Sequence, residues 1–409
     1  MSNERLCYFI LSFNKSVTWL IMQRKLTLTL ATSMMMFPQV VETIYSPALT
    51  HIAEGFHVSA GAAAQTLSFY FFAFAIGVVV WGRMCDVIGR RPAILSGLGL
   101  YMLASIIAVF CSSFAILLAA RILAAFGAAV GSVGTQTVIR DRFDGHELAQ
   151  VFSLMGIAMA ISPAVGVLSG ALLTHYWGYQ GVFTGLAILA ALLLCYATWR
   201  LPETRPLQTA PSAFISTLRR MIKDGDIWCS ALLVALFNIC MFSYYQLAPF
   251  RFEVLNIPQQ WFGYTGVVLA AGVAIGAIVN KSLVARNWLF SALLMLACVL
   301  ALVGGGLVFM MEDTPWFVLA MLLVVMAYGM AIPNILARAL RHYKECMGTA
   351  GAILGLMYYL MLGGGLVIAG FSQRLGMVLT LSSLCMLFLA LIVVYEEKRQ
   401  CIEKSENYQ

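Results

Sequence analysis

Long apolar runs alternate with short polar breaks along most of this chain. Each run holds about 20 residues, which at ~1.5 Å per residue crosses a hydrocarbon core of ~30 Å. The breaks concentrate charged residues, Gly and Pro, as loops do. The pattern predicts twelve membrane-spanning helices, numbered as spans 1 to 12, at 26–49, 60–82, 93–113, 114–138, 149–173, 181–199, 228–249, 261–281, 288–310, 316–338, 347–371 and 375–395.

Composition and charge fit this pattern. Of the 409 residues, 61% are hydrophobic and 11% are charged, whereas a soluble domain carries about 25% charged residues. The net charge of +7 could suggest a nucleic-acid partner, but Lys and Arg concentrate in the even-numbered loops and the C-terminal tail. The odd-numbered loops hold Arg251 and Arg374. By the positive-inside rule, the even loops and both termini are cytoplasmic, and no nucleic-acid partner is expected.

A polar linker is predicted to divide the chain into two six-helix bundles. Gly82 precedes Asp86 by four residues after span 2, and Gly276 precedes Asn280 by four at the end of span 8. Such a repeat predicts two related halves with a ligand between them near the midplane. The expected organisation is an interfacial or disordered N-terminal extension at 1–25, a six-helix bundle at 26–200, a cytoplasmic linker ending in an amphipathic helix at 201–226, a second bundle at 227–396 and a tail at 397–409.

Two ionisable residues lie inside predicted spans, Glu42 in span 1 and Arg121 in span 4. Each sits about 7 Å from the centre of its span, on the same side of the membrane. A charged side chain at this depth costs at least ~2.5–3.5 kcal/mol, so such residues are often functional. One hypothesis is that Glu42 carries a proton, with burial favouring its neutral form and Arg121 its ionised form. The alternative is a permanent ion pair that only orients the two helices.

Proline and polar aromatic residues give further candidates. Pro38 and Pro47 are predicted to interrupt span 1 on either side of Glu42, and Pro163 to interrupt span 5. Polar and aromatic side chains in apolar spans suit a cavity for an amphipathic small molecule, although bundle packing remains an alternative for each one. The candidate lining residues are Tyr45, Tyr70, Asn238, Tyr244, Gln246, Tyr328, Asn334 and Tyr358.

The sequence gives little support to an enzyme, a cofactor or a metal site. No Gly-Lys-Ser or Gly-Lys-Thr phosphate loop and no Gly-x-Ser-x-Gly elbow occur. The ten cysteines include no Cys-x-x-Cys pair, so neither a disulfide framework nor a metal site is predicted.

The loop after span 2 resembles motif A of the major facilitator superfamily. Its spacing Gly-x-x-x-Asp-x-x-Gly-Arg-Arg comes from Gly82, Asp86, Gly89, Arg90 and Arg91. Arg121 with Gly127 resembles motif B. Ser162, Pro163 and Gly166 resemble the helix 5 antiporter motif, with Ser162 in place of its glycine. The run Pro333-Asn334 resembles the Bcr/CflA group of drug:proton antiporters, in which the span 1 acid stands one position later than Glu42.

The resemblance implies a major facilitator fold and a monomeric transporter in the bacterial inner membrane. It implies export of small amphipathic compounds or drugs against inward proton flow, by alternating access. Asp86 and Arg90 would gate the cytoplasmic side, and Arg121 would be the charge near the proton site. Two alternatives stay open, a proton-coupled transporter of one metabolite or siderophore, and a non-transporting sensor on the same fold.

Overall fold

The computed structural model describes residues 28–205, 214–343 and 346–406, and all regular elements in these ranges are helical. The predicted N-terminal extension and part of the linker lie outside the described residues. In chain order the elements are α1 (28–43), a 3-10 helix (Ser46–Ala48), α2 (Leu49–Gly55), α3 (Ala60–Val87), α4 (Arg90–Phe110), α5 (Phe114–Arg142), α6 (Gly145–Arg200), α7 (Phe214–Ile222), α8 (Gly225–Val254), α9 (Gln259–Ala285), α10 (Phe290–Met311), α11 (Phe317–Ala339), α12 (Met347–Ser372) and α13 (Leu375–Glu406).

Span 1 is longer than predicted and is broken near its middle. The helix α1 ends at residue 43, the 3-10 helix follows with Pro47 in its first turn, and α2 continues to Gly55. Pro47 has no N–H to donate to the preceding turn, which explains the break there. Pro38 causes no break, because α1 is continuous through it. The predicted end of span 1 at residue 49 is therefore wrong by about one and a half turns.

Spans 5 and 6 are joined with almost no loop, contrary to the prediction of a gap from 174 to 180. Both belong to α6, which contains one non-helical residue, Gly178, at φ 63° and ψ −161°. Only glycine adopts this conformation without a steric cost, so one residue reverses the chain. Pro163 lies inside the helical part of α6 and does not break it, so the prediction that it interrupts span 5 is wrong.

The linker contains the amphipathic helix that its composition predicts. In α7, Thr217 and Met221 are buried, and Phe214 and Leu218 pack toward α8 and α12. The exposed positions include Ile215 and the basic residue Arg219. This helix covers the second half at one end of the bundle.

The two halves meet along two long helix pairs, with α3 packed on α12 and α6 packed on α9. Small residues allow close approach, as membrane helices require. A Cβ at Gly263 would lie 2.6 Å from the side chain of Ala171, and a Cβ at Gly363 would lie 3.1 Å from the ring of Phe72. The described helices thus form two bundles around a central interface.

The two ends of this interface differ. The end that carries Arg83, Arg90 and Arg140 is called the basic end, and the end that carries α2 and Gly178 is called the sealed end. At the sealed end the Gln65 amide donates to Val367 O across the interface at 3.0 Å. The Ser46 hydroxyl donates to the carbonyl oxygen of Tyr245. These bonds join the halves at the end opposite the basic residues.

Candidate functional site

A large cavity opens at the basic end between the two halves, with a volume of ≈ 1020 Å³. Its walls come from α3, α5, α11 and α12, and α7 lies at its mouth. Arg83 and Asp86 lie near the mouth, while Val78, Tyr358 and Tyr359 lie toward the middle of the bundle. The volume and the apolar wall with a few polar groups suit a small amphipathic ligand.

Glu42 lies in the last turn of α1 and is 1% exposed. Its Oε1 has no hydrogen-bond partner among the described residues. The chain after it is held by α6, because a Cβ at Gly166 would lie 2.0 Å from Thr43 Oγ1 and one at Gly170 would lie 2.0 Å from Ile44 O. The glycines of α6 therefore fix the backbone on which the acid sits.

Arg121 lies in α5, is also 1% exposed, and faces aromatic rings instead of a carboxylate. Its Cζ lies 4.0 Å from the ring centroid of Tyr45 and 4.7 Å from that of Tyr70. Its three side-chain nitrogens donate no hydrogen bond within the described part of the chain. Arg121 acts electrostatically on Glu42, but the described residues show no ion pair between them. The permanent ion pair considered as an alternative is thus not formed in this conformation.

Three tyrosines of the second half lie within electrostatic range of Glu42, namely Tyr328 of α11 and Tyr358 and Tyr359 of α12. The last two line the cavity. The ring centroids of Tyr358 and Tyr359 are 4.3 Å apart, and that of Tyr359 lies 5.0 Å from the ring centroid of Phe74 on α3. This aromatic wall therefore extends from one half to the other.

The structure places the eight candidate cavity residues at several sites. Tyr358 lines the cavity. Tyr45 and Tyr70 lie over Arg121, and Gln246 lies at the sealed end. Tyr328 donates to Asn238 Oδ1 at 3.3 Å, and Tyr244 stacks on Phe262 inside the second half. Asn334 donates to Asn280 Oδ1 at 2.7 Å. Their assignment to a substrate path stays a prediction.

The motif A loop is held within the first half by charge and by backbone hydrogen bonds. Gly89 has φ 104°, a conformation that glycine adopts without strain, and begins α4. The Arg90 guanidinium is buried, donates from Nε to Asp141 at 2.8 Å and lies 3.4 Å from Asp86. Arg91 donates to the carbonyl oxygen of Thr198 at 2.7 Å. Gly82 lies against α5, where a Cβ would be 3.3 Å from the side chain of Val133.

Sequence reasoning missed Glu203 in this loop. Its carboxylate accepts from the backbone N–H of Arg90 at 2.9 Å and of Arg91 at 3.1 Å, capping α4. Burial opposes ionisation of Glu203, but hydrogen bonds from the N–H groups of Arg90, Arg205, Arg91 and Thr204 outweigh it and hold its pKa below the usual value. The available signal was an acid directly after span 6, beside a loop rich in arginine.

The helix 5 motif acts through packing. The Ser162 hydroxyl donates to Ala158 O at 2.7 Å, one turn back in α6. Pro163 follows it, and Gly166 provides the contact with α1 described above. These residues support the segment that carries Glu42 and do not themselves reach the cavity wall.

Comparisons with known proteins agree with this architecture. Multidrug resistance protein D of Escherichia coli (strain K12) is 27% identical over 340 residues, covering 78% of this chain and 81% of the relative. A chloramphenicol resistance protein of Pseudomonas aeruginosa is 28% identical over 336 residues, covering 79% and 77%.

The crystal structure of a D-xylose-proton symporter superposes with a TM-score of 0.70 at 16% identity, covering 88% of this chain and 96% of that one, which shows a shared fold. Residues 28–367 match the sequence pattern of the Major Facilitator Superfamily. With twelve spans in two packed bundles and a cavity between them, this chain belongs to the Major Facilitator Superfamily.

Proposed function

We propose that this chain is a proton-coupled secondary transporter that exports small amphipathic compounds by alternating access. The cavity at the basic end receives the compound, and the closed opposite end separates it from the other side of the membrane. The names of the two bacterial relatives, which refer to resistance, favour drug export over uptake of one metabolite or a sensor role.

The orientation proposed is that of the positive-inside rule. The basic end faces the cytoplasm of a bacterium, both termini are cytoplasmic, and the chain works as a monomer in the inner membrane. The cavity would then load from the cytoplasm in this conformation, as an exporter requires.

Glu42 is the proposed proton carrier, and its position carries the proposal. It is a buried acid without an ion-pair partner among the described residues, and it lies within electrostatic range of two tyrosines that line the cavity. A compound bound against those tyrosines would alter the electrostatic surroundings of the acid. Loading of the compound and loss of the proton would alternate at one site, and the proton would leave through the cavity to the cytoplasm.

The test is transport of chloramphenicol into everted membrane vesicles, with proton release recorded at the same time. Wild-type protein should accumulate the compound only with an imposed proton gradient and should release protons when the compound is added. Glu42→Gln should abolish both, because the amide cannot lose a proton near neutral pH, and should keep downhill equilibration. Glu54→Gln, an exposed acid on α2, is the matched control and should behave as wild type. Gradient-driven accumulation by Glu42→Gln would remove the proposal.

A narrow-specificity transporter is separated by the same assay. A panel of unrelated amphipathic compounds should all compete with chloramphenicol if the cavity is a general drug site. Transport restricted to one metabolite, with no competition by the panel, would favour the alternative. No flux of any compound would favour a sensor.

A further inference from the structure

Two tyrosines enclose the Arg121 guanidinium in the first half. The Tyr45 and Tyr70 ring centroids lie 4.0 and 4.7 Å from its Cζ, and both rings are fully buried. Aromatic faces stabilise a cation through the ring quadrupole, most strongly where water is excluded. The rings thus take the place that a carboxylate would take, and they leave Glu42 without its counter-ion.

The two rings lie on two different segments of the first half. Tyr45 follows Glu42 by three residues, at the break between α1 and the 3-10 helix, next to the bond from Ser46 to the second half. Tyr70 is on α3, stacked on Phe74 with ring centroids 6.1 Å apart, and Phe74 contacts Tyr359 of the cavity wall. A continuous line of rings therefore connects the cavity with the guanidinium.

The ionisable groups within electrostatic range of Glu42 or of Arg121 come from several of the elements around them, while the described part of α6 contributes only packing contacts there. They are Tyr45 beside α1, Tyr70 of α3, Tyr101 of α4, Tyr328 of α11, and Tyr358 and Tyr359 of α12. Arg121 is the cation among them. Its separation from Glu42 is therefore one variable through which a conformational change can alter the charge state of the acid.

We propose that Tyr45 and Tyr70 form a cage that regulates proton release by controlling whether Arg121 reaches Glu42. With the cavity empty, the cage holds the guanidinium and Glu42 keeps its proton. A compound bound against Tyr359 displaces Phe74 and Tyr70, the guanidinium leaves the cage and pairs with Glu42, and the carboxyl proton passes to water in the cavity. This regulation rests on the proposed proton antiport and adds to it the step that links occupancy to deprotonation.

The test compares leucine and phenylalanine at the two cage positions in everted vesicles. Tyr45→Leu and Tyr70→Leu remove a ring face, whereas Tyr45→Phe and Tyr70→Phe keep the face and lose only the hydroxyl. Tyr343→Leu is the matched control, because this buried tyrosine also lies over an arginine, 4.6 Å from the Cζ of Arg220, in the cluster beneath α7. The measurements are protons released per chloramphenicol transported, and downhill equilibration of chloramphenicol without a gradient.

We expect the leucine variants to keep downhill equilibration and to lower proton release on chloramphenicol addition about thirtyfold, the change in equilibrium expected for one desolvated cation–π contact. The phenylalanine variants should match wild type in both measurements. The control Tyr343→Leu should keep the wild-type ratio of protons to compound, even if its flux falls.

The outcomes separate this proposal from the proposed function. Wild-type protein that releases no proton would remove the antiport itself. Wild-type release with unchanged release in both leucine variants would overturn the cage and leave the antiport intact. If a leucine variant does not fold, the two phenylalanine variants test the proposal. If both release fewer protons per chloramphenicol transported than wild type, the hydroxyls and not the ring faces are responsible, and the cage is overturned.

Discussion

Two sets of buried polar groups, one in each half of this transporter, differ in their hydrogen-bond partners. In the first half, the Arg121 guanidinium donates no hydrogen bond within the described part of the chain and rests on aromatic rings. In the second half, the amide nitrogen of Asn334 donates to Asn280 at 2.7 Å, and that of Asn238 donates to Val234 O at 2.8 Å. A guanidinium stays protonated but can change its neighbours, and a buried acid such as Glu42 can change its protonation, whereas the bonded amides hold one geometry. We therefore expect the titrating group in the first half and a more rigid polar framework around these amides in the second.

Positions where two helices are in close contact provide the sharpest test of this difference between the two halves. A Cβ at Gly170 would lie 2.0 Å from Ile44 O in the first half, and a Cβ at Gly276 would lie 2.1 Å from Met326 O in the second. Gly170→Ala and Gly276→Ala should each destabilise the fold by about 1–3 kcal/mol, because backbone must shift in both. Thermal unfolding in detergent measures this change.

Transport should then separate the two variants. Gly170→Ala displaces the segment that follows Glu42, so protons released per compound should fall; Gly276→Ala should lower flux and leave that ratio unchanged. Gly156→Ala and Gly306→Ala are controls, because a Cβ at either position meets nothing within 4 Å. An equal loss of coupling in both halves would contradict this difference between them.

The sealed end gives a second, smaller test. The Gln246 amide of the second half donates to Ala64 O at 2.9 Å and to Leu366 O at 3.1 Å, reaching α3 of the first half. Gln246→Leu should shift the population toward the form open at this end by about fivefold, since one hydrogen bond contributes about 1 kcal/mol. Labelling of a cysteine placed at Ala64, which is buried against Gly370 of α12, should become faster. Asn238→Leu, which loses bonds to Val234 and from Tyr328 within the second half, should leave the labelling rate unchanged.

The smallest expected effect concerns the glutamates that follow spans 6 and 12. Glu203 accepts backbone N–H groups of α4, whereas Glu397 pairs with the Arg338 guanidinium. Because the pKa of Glu203 is held below its ordinary value of 4.5, its stabilising effect is complete above about pH 4.5 and is lost as the pH falls through the lower folded-state value. Because Glu203 is exposed to solvent, its ionised carboxylate contributes only about 0.5–1 kcal/mol to the free energy of unfolding.

Unfolding between pH 7 and pH 3 checks this expectation. Glu203→Gln should be less stable than wild type at pH 7, and the difference should shrink toward pH 3, where wild type loses the ionised cap. A difference that is constant across this range would show that the carboxylate charge is not what stabilises the loop.

The amino-acid pattern predicted the number of spans, the linker helix and the two buried ionisable residues, because hydropathy and charge are visible in any linear sequence. It was wrong about the end of span 1 and about the gap between spans 5 and 6, where Pro47 and Gly178 set the geometry. It also missed Glu203, whose partners lie 112 and 113 residues away.

The sequence by itself determined that this chain is a twelve-span membrane protein with one acid and one cation in the core of its first half. Only the tertiary structure decided that Tyr45 and Tyr70 face the cation and that Gln246 closes one end. The physical reason is that membrane helices are apolar around their whole circumference, so the apolar pattern does not reveal which side faces a neighbour. That orientation comes from packing between helices far apart in the chain.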